Sequence, residues 1–166
     1  DLGVEWKGID FSMFWQGVAK RDLWLDGPMF WGISGGEWQS TGLKEHLDYY
    51  RPENTTSVFG PNTNAYFPKM YMSKDMNQKV QTRYLQNGAY ARLKNIQLGY
   101  TFPTQIINKL HMQKLRVYVS AENVLTITSL PSGFDPETTY SSYSDGNSGK
   151  TYPLQTTISF GLNATF

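Results

Sequence analysis

Tryptophan and tyrosine are the residues of this sequence whose type and placement best suit the binding of a ligand. The candidates for binding a ligand are Trp24, Trp31, Trp38, Tyr49 and Tyr50. Flat aromatic rings stack on sugars and pack against partner proteins, because they offer a large apolar area at little cost in conformational entropy. We expect these five to contact a substrate or a protein lid. The alternative role for each ring is to pack in the hydrophobic core of the loop that contains it, without contacting a ligand.

A catalytic centre is not indicated. Asp135 and Glu137 stand two positions apart in a turn-rich stretch, where an Asx turn at Asp135 is a better interpretation than a catalytic or calcium-binding role. His46 and His111 have no second ligand at metal spacing, so we expect both on the surface. There is no cysteine and no phosphate-cradling glycine-rich motif. The prediction is no enzyme activity, no metal and no cofactor.

Composition narrows the class of protein. The 166 residues are 39% hydrophobic and 15% aromatic, which favours half-exposed sheet surfaces over a thick core. A net charge of +1 with scattered Lys and Arg argues against a nucleic-acid partner. No apolar run approaches the length of a membrane helix. The chain starts in mid-pattern without Met, and we expect it to be a piece of a longer protein.

Alternating hydrophobicity predicts the elements that must position the aromatic residues. The clearest case is 153–166, where every second residue from Leu154 to Phe166 shares one face and small polar residues fill the other. A period of two is that of a β-strand. On this basis we predict strands at about 1–6, 9–18, 90–102, 115–126 and 153–166.

Connections between the predicted strands alternate between short and long. Short ones lie at Lys7-Gly8 and about 103–114, and long irregular ones at about 20–88 and 127–152. Transmembrane β-barrels show this asymmetry, with short periplasmic turns and long extracellular loops. The apolar face would then contact lipid, and the polar residues Asp10, Gln16, Arg116 and Glu122 would face the lumen. An aromatic girdle at one rim is predicted from Trp6, Phe11, Phe102 and Phe166.

Five strands cannot close a membrane barrel, which needs about eight. The prediction is therefore all-β, with about five antiparallel strands belonging to a larger cylinder. A longer parent chain or several copies of this one would complete that cylinder, and we favour the parent chain. Two alternatives stay open. One is a secreted β-sandwich that binds carbohydrate through loop tryptophans, and the other is an outer-membrane barrel hydrolase with carboxylates at its rim.

Several motifs, in order along the chain, carry a resemblance to a known family. The strongest are 90–103 (YARLKNIQLGYTFP), 115–126 (LRVYVSAENVLT), 133–137 (GFDPE) and 160–166 (FGLNATF). Weaker ones are 5–10 (EWKGID), 14–17 (FWQG), 50–54 (YRPEN) and 65–68 (AYFP). Together they resemble the C-terminal end of the SusC/RagA-type TonB-dependent outer-membrane transporters, and they cover most of the chain.

The resemblance implies a location and a set of partners. It implies the last strands of a transmembrane barrel of about 22 strands in a Gram-negative outer membrane, among lipid and lipopolysaccharide, with the plug domain absent from this chain. Family members import bulky nutrients, either oligosaccharide or peptide, with a SusD-like surface lipoprotein as a lid and energy from the TonB complex. The final strand, with Phe160, Leu162 and Phe166, resembles the signal read by the barrel-assembly machinery.

Overall fold

A computed structural model describes residues 1–32, 42–71, 75–139 and 149–166. The chain divides into two units, which are described separately below. The sheet unit comprises Asp1–Arg21, Gly88–Ser129 and Leu154–Phe166. The loop unit comprises Asp22–Asn87 and Leu130–Pro153.

The sheet unit is a five-stranded antiparallel sheet, which confirms the all-β prediction. Its strands are β1 Leu2–Trp6, β2 Ile9–Val18, β5 Tyr90–Thr101, β6 Lys114–Thr128 and β7 Thr157–Thr165. They occur in the spatial order β1-β2-β5-β6-β7. The alternation predicts a start of the final strand at Pro153, but 153–156 lie outside the ladder. The alternation of apolar and polar residues continues through 153–156, but alternation alone cannot show where the pairing with the neighbouring strand β6 ends.

Apolar side chains line up across all five strands. Val4, Phe11, Leu98, Val119 and Phe160 are successive cross-strand partners and so form one row, here called the apolar row. The next rows on the same face, two residues away along each strand in either direction, are also apolar or aromatic. Phe160 is 84% exposed, although a large ring in water is unfavourable. The sheet unit therefore presents a broad apolar surface that none of its own described residues covers.

The two short connections lie at the same end of the sheet. Lys7 and Gly8 join β1 to β2 with positive φ angles, as a tight hairpin turn requires. The second connection contains a one-turn helix, Thr104–Ile107, followed by a 3-10 turn at Asn108–Leu110. Three of the four predicted girdle residues lie at this end, namely Trp6, Phe102 and Phe166. Phe11 does not, because its register places it in the apolar row.

The loop unit has its own secondary structure and core. It contains the paired short strands β3, Asp22–Leu23, and β4, Gln86–Asn87, and a helical turn at Pro28–Trp31. Two 3-10 turns follow at Lys44–Leu47 and Asp75–Gln78. The core consists of Leu23, Leu25, Phe30, Trp31, Phe67, Tyr84, Leu130 and Phe134. Within the described ranges, no helix is both long and apolar enough to cross a membrane.

Candidate functional site

The predicted ligand-binding aromatics occupy different environments in the loop unit. Trp31 is only 1% exposed and lies in the core, where its Nε1 donates a hydrogen bond to the Leu25 carbonyl at 3.2 Å. Trp24 and Tyr49 are half-buried and pack against that core. Tyr50 is 41% exposed. Trp38 lies outside the described residues. Tyr50 is therefore the one of the four described rings with the most area available to a ligand.

Aromatic contacts organise the core around Trp31. Its ring lies 4.9 Å from Tyr84 and 5.1 Å from Phe30, centroid to centroid, both in edge-to-face geometry. This geometry places the positive edge of one ring against the negative face of another. Burial raises the pKa of the Tyr84 phenol above its ordinary value, because the charged form would lose its water. Trp31 thus supports the loop unit from inside, which is the alternative role that the sequence left open for it.

Asp48 and Arg51 hold the backbone on either side of Tyr49 and Tyr50. The Asp48 carboxylate accepts hydrogen bonds from the Asn62 side chain at 2.8 Å and from the Tyr66 backbone N–H at 3.1 Å. Arg51 is buried, and its Nε donates to the Gly60 carbonyl at 2.6 Å and its Nη1 to the Leu47 carbonyl at 2.8 Å. Hydrogen bonds to charged groups are stronger than neutral ones.

Tyr49 and Tyr50 are further fixed by their neighbours. The Arg51 guanidinium lies 4.7 Å from the Tyr49 ring centroid, a cation–π distance. The Tyr50 backbone N–H donates to the Phe67 carbonyl at 3.0 Å. Both tyrosines therefore stand on a hydrogen-bonded backbone, and a ligand that contacts Tyr50 would meet a ring whose point of attachment is fixed.

A cleft of about 410 Å³ opens in the loop unit. Its walls combine apolar and aromatic side chains with a few polar ones, and they include Met29, Leu43, Glu45, Tyr66, Gln86 and Phe134. Small-molecule sites have volumes of this order and this mixture, with polar groups that orient the ligand. The Gln86 side chain is itself positioned, because it donates to the Tyr66 hydroxyl at 3.0 Å. The cleft is therefore a candidate binding site in the described loop unit.

His46 is buried, and its predicted surface position is wrong. It is 4% exposed, its Nδ1 accepts a hydrogen bond from the Leu43 N–H at 2.9 Å, and its Nε2 lies 3.1 Å from the Phe30 carbonyl. The ring therefore carries its proton on Nε2. Gly32, at φ +60°, leaves the space that the ring fills, since a Cβ there would lie 2.8 Å from Nδ1. His46 caps a turn and joins two segments, a role that its isolation in sequence did not reveal.

The acidic pair of the second long connection has a structural role. The Asp135 carboxylate accepts hydrogen bonds from the backbone N–H groups of Glu137, at 2.8 Å, and Thr138, at 3.3 Å. This is the predicted Asx turn. Among the described residues, no three acidic or histidine side chains come together as a metal site would require.

Polar residues form a connected group on the second face of the sheet unit. The Arg116 guanidinium pairs with both oxygens of Asp10, with Nε 2.9 Å from Oδ1. The same guanidinium lies 4.8 Å from the Tyr118 ring centroid. Arg116 thus links β2 to β6 above the intervening strand β5. Sequence reasoning placed Asp10 and Arg116 on this face, but not in contact with each other.

Five antiparallel strands with one exposed apolar face and one polar face fit a segment of a larger β-barrel; the sheet itself is not closed. A solved structure of the RagAB peptide importer in the "open-open" state has this fold, with a TM-score of 0.63 and 24% identity over 99% of this chain and 16% of that one. The "closed-closed" state gives 0.63 and 23%, over the same shares.

Curated sequences give a consistent result. TonB-dependent receptor P3 of Formosa agariphila is 35% identical over 170 residues, which is 98% of this chain and 15% of that protein. TonB-dependent receptor P26 of the same organism is 25% identical over 98% of this chain and 16% of its own length. No protein-family model matches the chain. Together these matches support a fragment of a SusC/RagA-type TonB-dependent transporter, as the motifs predicted, and the chain spans only about one sixth of the length of the relatives it matches.

Proposed function

We propose that this chain forms wall strands and two extracellular loops of an outer-membrane importer of bulky nutrients. The observation that carries the proposal is the apolar row, which crosses every strand of the sheet while the opposite face holds the Asp10–Arg116 pair. Lipid on one side and a water-filled lumen on the other account for both faces. The relatives that support it are named as receptors and an importer, not as enzymes.

Within that importer, we assign the loop unit to the outside of the cell. The proposed substrate is an oligosaccharide or a peptide, bound by the cleft and by Tyr50, with Trp24 and Tyr49 at the edge of the contact. A SusD-like lipoprotein would close over the loops, and the TonB complex would supply the energy. Trp38 remains a predicted contact. The support for these assignments is that the described part of the loop unit presents both an aromatic ring and a cleft with polar groups.

Fractionation of cells that express the parent protein tests the proposal. We expect the protein in the outer membrane, released only by detergent, with nutrient uptake that stops when TonB is deleted. A parent protein that stays monomeric in buffer without detergent would contradict it and favour the carbohydrate-binding β-sandwich. Hydrolysis of a glycan or peptide by the purified parent would favour the hydrolase.

Deletion of Phe166 is expected to impair assembly more than transport. Phe166 is 76% exposed, so its loss leaves the described packing of the sheet unchanged. The measurement is the amount of folded barrel in the outer membrane, followed by uptake per folded molecule. We expect a large drop in the first and little change in the second. Equal amounts of folded barrel with and without Phe166 would contradict the proposed role of Phe160, Leu162 and Phe166 in the assembly signal.

A further inference from the structure

Large and small residues alternate along one cross-strand row of the polar face. Asp10, Gly99, Tyr118 and Gly161 are successive partners across β2, β5, β6 and β7. Gly99 is the one glycine of β5, and Gly161 is the one glycine of β7. Each glycine thus lies directly opposite a side chain that needs room. This row is here called the glycine row.

The Tyr118 ring fills the space above Gly161. A Cβ at Gly161 would lie less than 3.0 Å from two ring carbons and the hydroxyl oxygen of Tyr118, so any other residue there must displace that side chain. The space above Gly99 is filled in the same way, since a Cβ there would lie 2.5 Å from both the Arg116 guanidinium and the Asp10 carboxylate. Arg116, which pairs with Asp10, also lies 4.8 Å from the Tyr118 ring centroid, so the ring is in contact with a second fixed group besides Gly161.

The apolar pattern of β7 does not by itself define which residues pair with β6. A slip by one residue would turn Phe160 and Leu162 to the polar face and is strongly disfavoured. A slip by two residues would keep every apolar residue outside, so the alternation cannot exclude it. It would, however, place Ser159 or Asn163 opposite Tyr118, and a side chain would then occupy the space of the ring.

We propose that Tyr118 and Gly161 set the register of the C-terminal strand against β6. The apolar residues of β7 determine which face of the strand contacts lipid, and Gly161 determines which residues of β7 pair with which residues of β6. The inference concerns pairing within the sheet unit, so it does not depend on which nutrient is carried.

Cross-linking measures the register directly. Ser120 and Ser159 are cross-strand partners on the polar face, so Ser120→Cys with Ser159→Cys should react with a short thiol-specific cross-linker. The chain has no cysteine of its own, and the remainder of the parent is used in a cysteine-free form. After Tyr118→Ser we expect this cross-link to fall by at least about half, because the ring no longer excludes the shifted pairing. Ser120→Cys with Thr157→Cys should then react, as a slip by two predicts.

A second-site substitution distinguishes the proposed fit between Tyr118 and Gly161 from a general requirement for glycine at position 161. Gly161→Val should lower the folded transporter in the outer membrane about tenfold, because its side chain overlaps the ring. Adding Tyr118→Ser should restore most of the loss. Ser159→Val places the same side chain on the same face of β7, opposite Ser120, and should be tolerated.

Two results would overturn the proposal. One is a Ser120–Ser159 cross-link that is as efficient in the Tyr118→Ser variant as in the parent. The other is a Gly161→Val variant that assembles normally, or that fails to recover when Tyr118→Ser is added. Either would leave the identity of the transporter untouched, because membrane location and uptake are measured separately.

Discussion

A transporter that carries Val119→Arg is expected to reach the outer membrane in folded form at less than about one thirtieth of the normal amount. Val119 lies in the apolar row between Leu98 and Phe160, near the middle of β6. An arginine on the lipid face of a barrel costs about 2–4 kcal/mol at the membrane midplane, and about 1.4 kcal/mol corresponds to a factor of ten. The measurement is the fraction of the protein in purified outer membranes that shows heat-dependent mobility in electrophoresis.

The matched control is Ser120→Arg, which places the same side chain one position along the same strand. Ser120 pairs with Gln97 and Ser159 on the polar face, so its arginine would enter the lumen. We expect less than about a threefold loss, since lumen substitutions do not expose charge to lipid. Equal losses for the two variants would show that both faces of β6 meet the same surroundings, and would contradict the assignment of one face to lipid and the other to the lumen.

Trp31→Ala is expected to destabilise the loop unit by about 3–5 kcal/mol, the usual cost of removing a large buried aromatic side chain. The change removes the contacts with Phe30 and Tyr84 and leaves the Leu25 carbonyl without its indole donor. Limited proteolysis of the folded transporter measures the effect. New cleavage should appear within 22–87, while the barrel keeps its heat-dependent mobility.

Tyr50→Ala is the control for that experiment. Because Tyr50 is neither in the buried core cluster nor among the side chains packed against it, its removal should leave the protease pattern unchanged. If Tyr50 contacts the substrate or the lid, the same variant should reduce binding or uptake. A Trp31→Ala variant as resistant to protease as the parent would contradict the role assigned to the loop-unit core.

The strands could be predicted from the sequence because their signal is local. Alternation of apolar and small polar residues is visible in any single strand, and it placed Phe160 and Val119 on the apolar face and Arg116 on the other. The start of β7 could not be read in this way, because it depends on the partner strand. The misplacement of Phe11 has a simpler origin, since Phe11 stands two residues farther from the Lys7-Gly8 turn than Ile9, the partner of Trp6.

The loop unit was beyond such reasoning because its contacts join residues far apart in sequence. Arg51 reaches the Gly60 carbonyl and His46 reaches the Phe30 carbonyl, and neither contact leaves a periodic pattern. Trp31 and Tyr50 are both large aromatic residues that directly follow another aromatic residue, yet one is buried and the other exposed. A signal for Gly161 did exist. A single glycine inside an otherwise regular strand indicates close approach by a neighbouring group.

The central claim is that one face of this sheet contacts lipid and the other contacts water. Spin labels attached to Ile158→Cys and Ser159→Cys, neighbours on opposite faces of β7, test it most directly in membranes that contain the assembled parent protein. We predict that the label at 158 collides with lipid-soluble oxygen and is shielded from a water-soluble nickel reagent, and that the label at 159 shows the reverse. Equal access of the nickel reagent to both labels would contradict the claim.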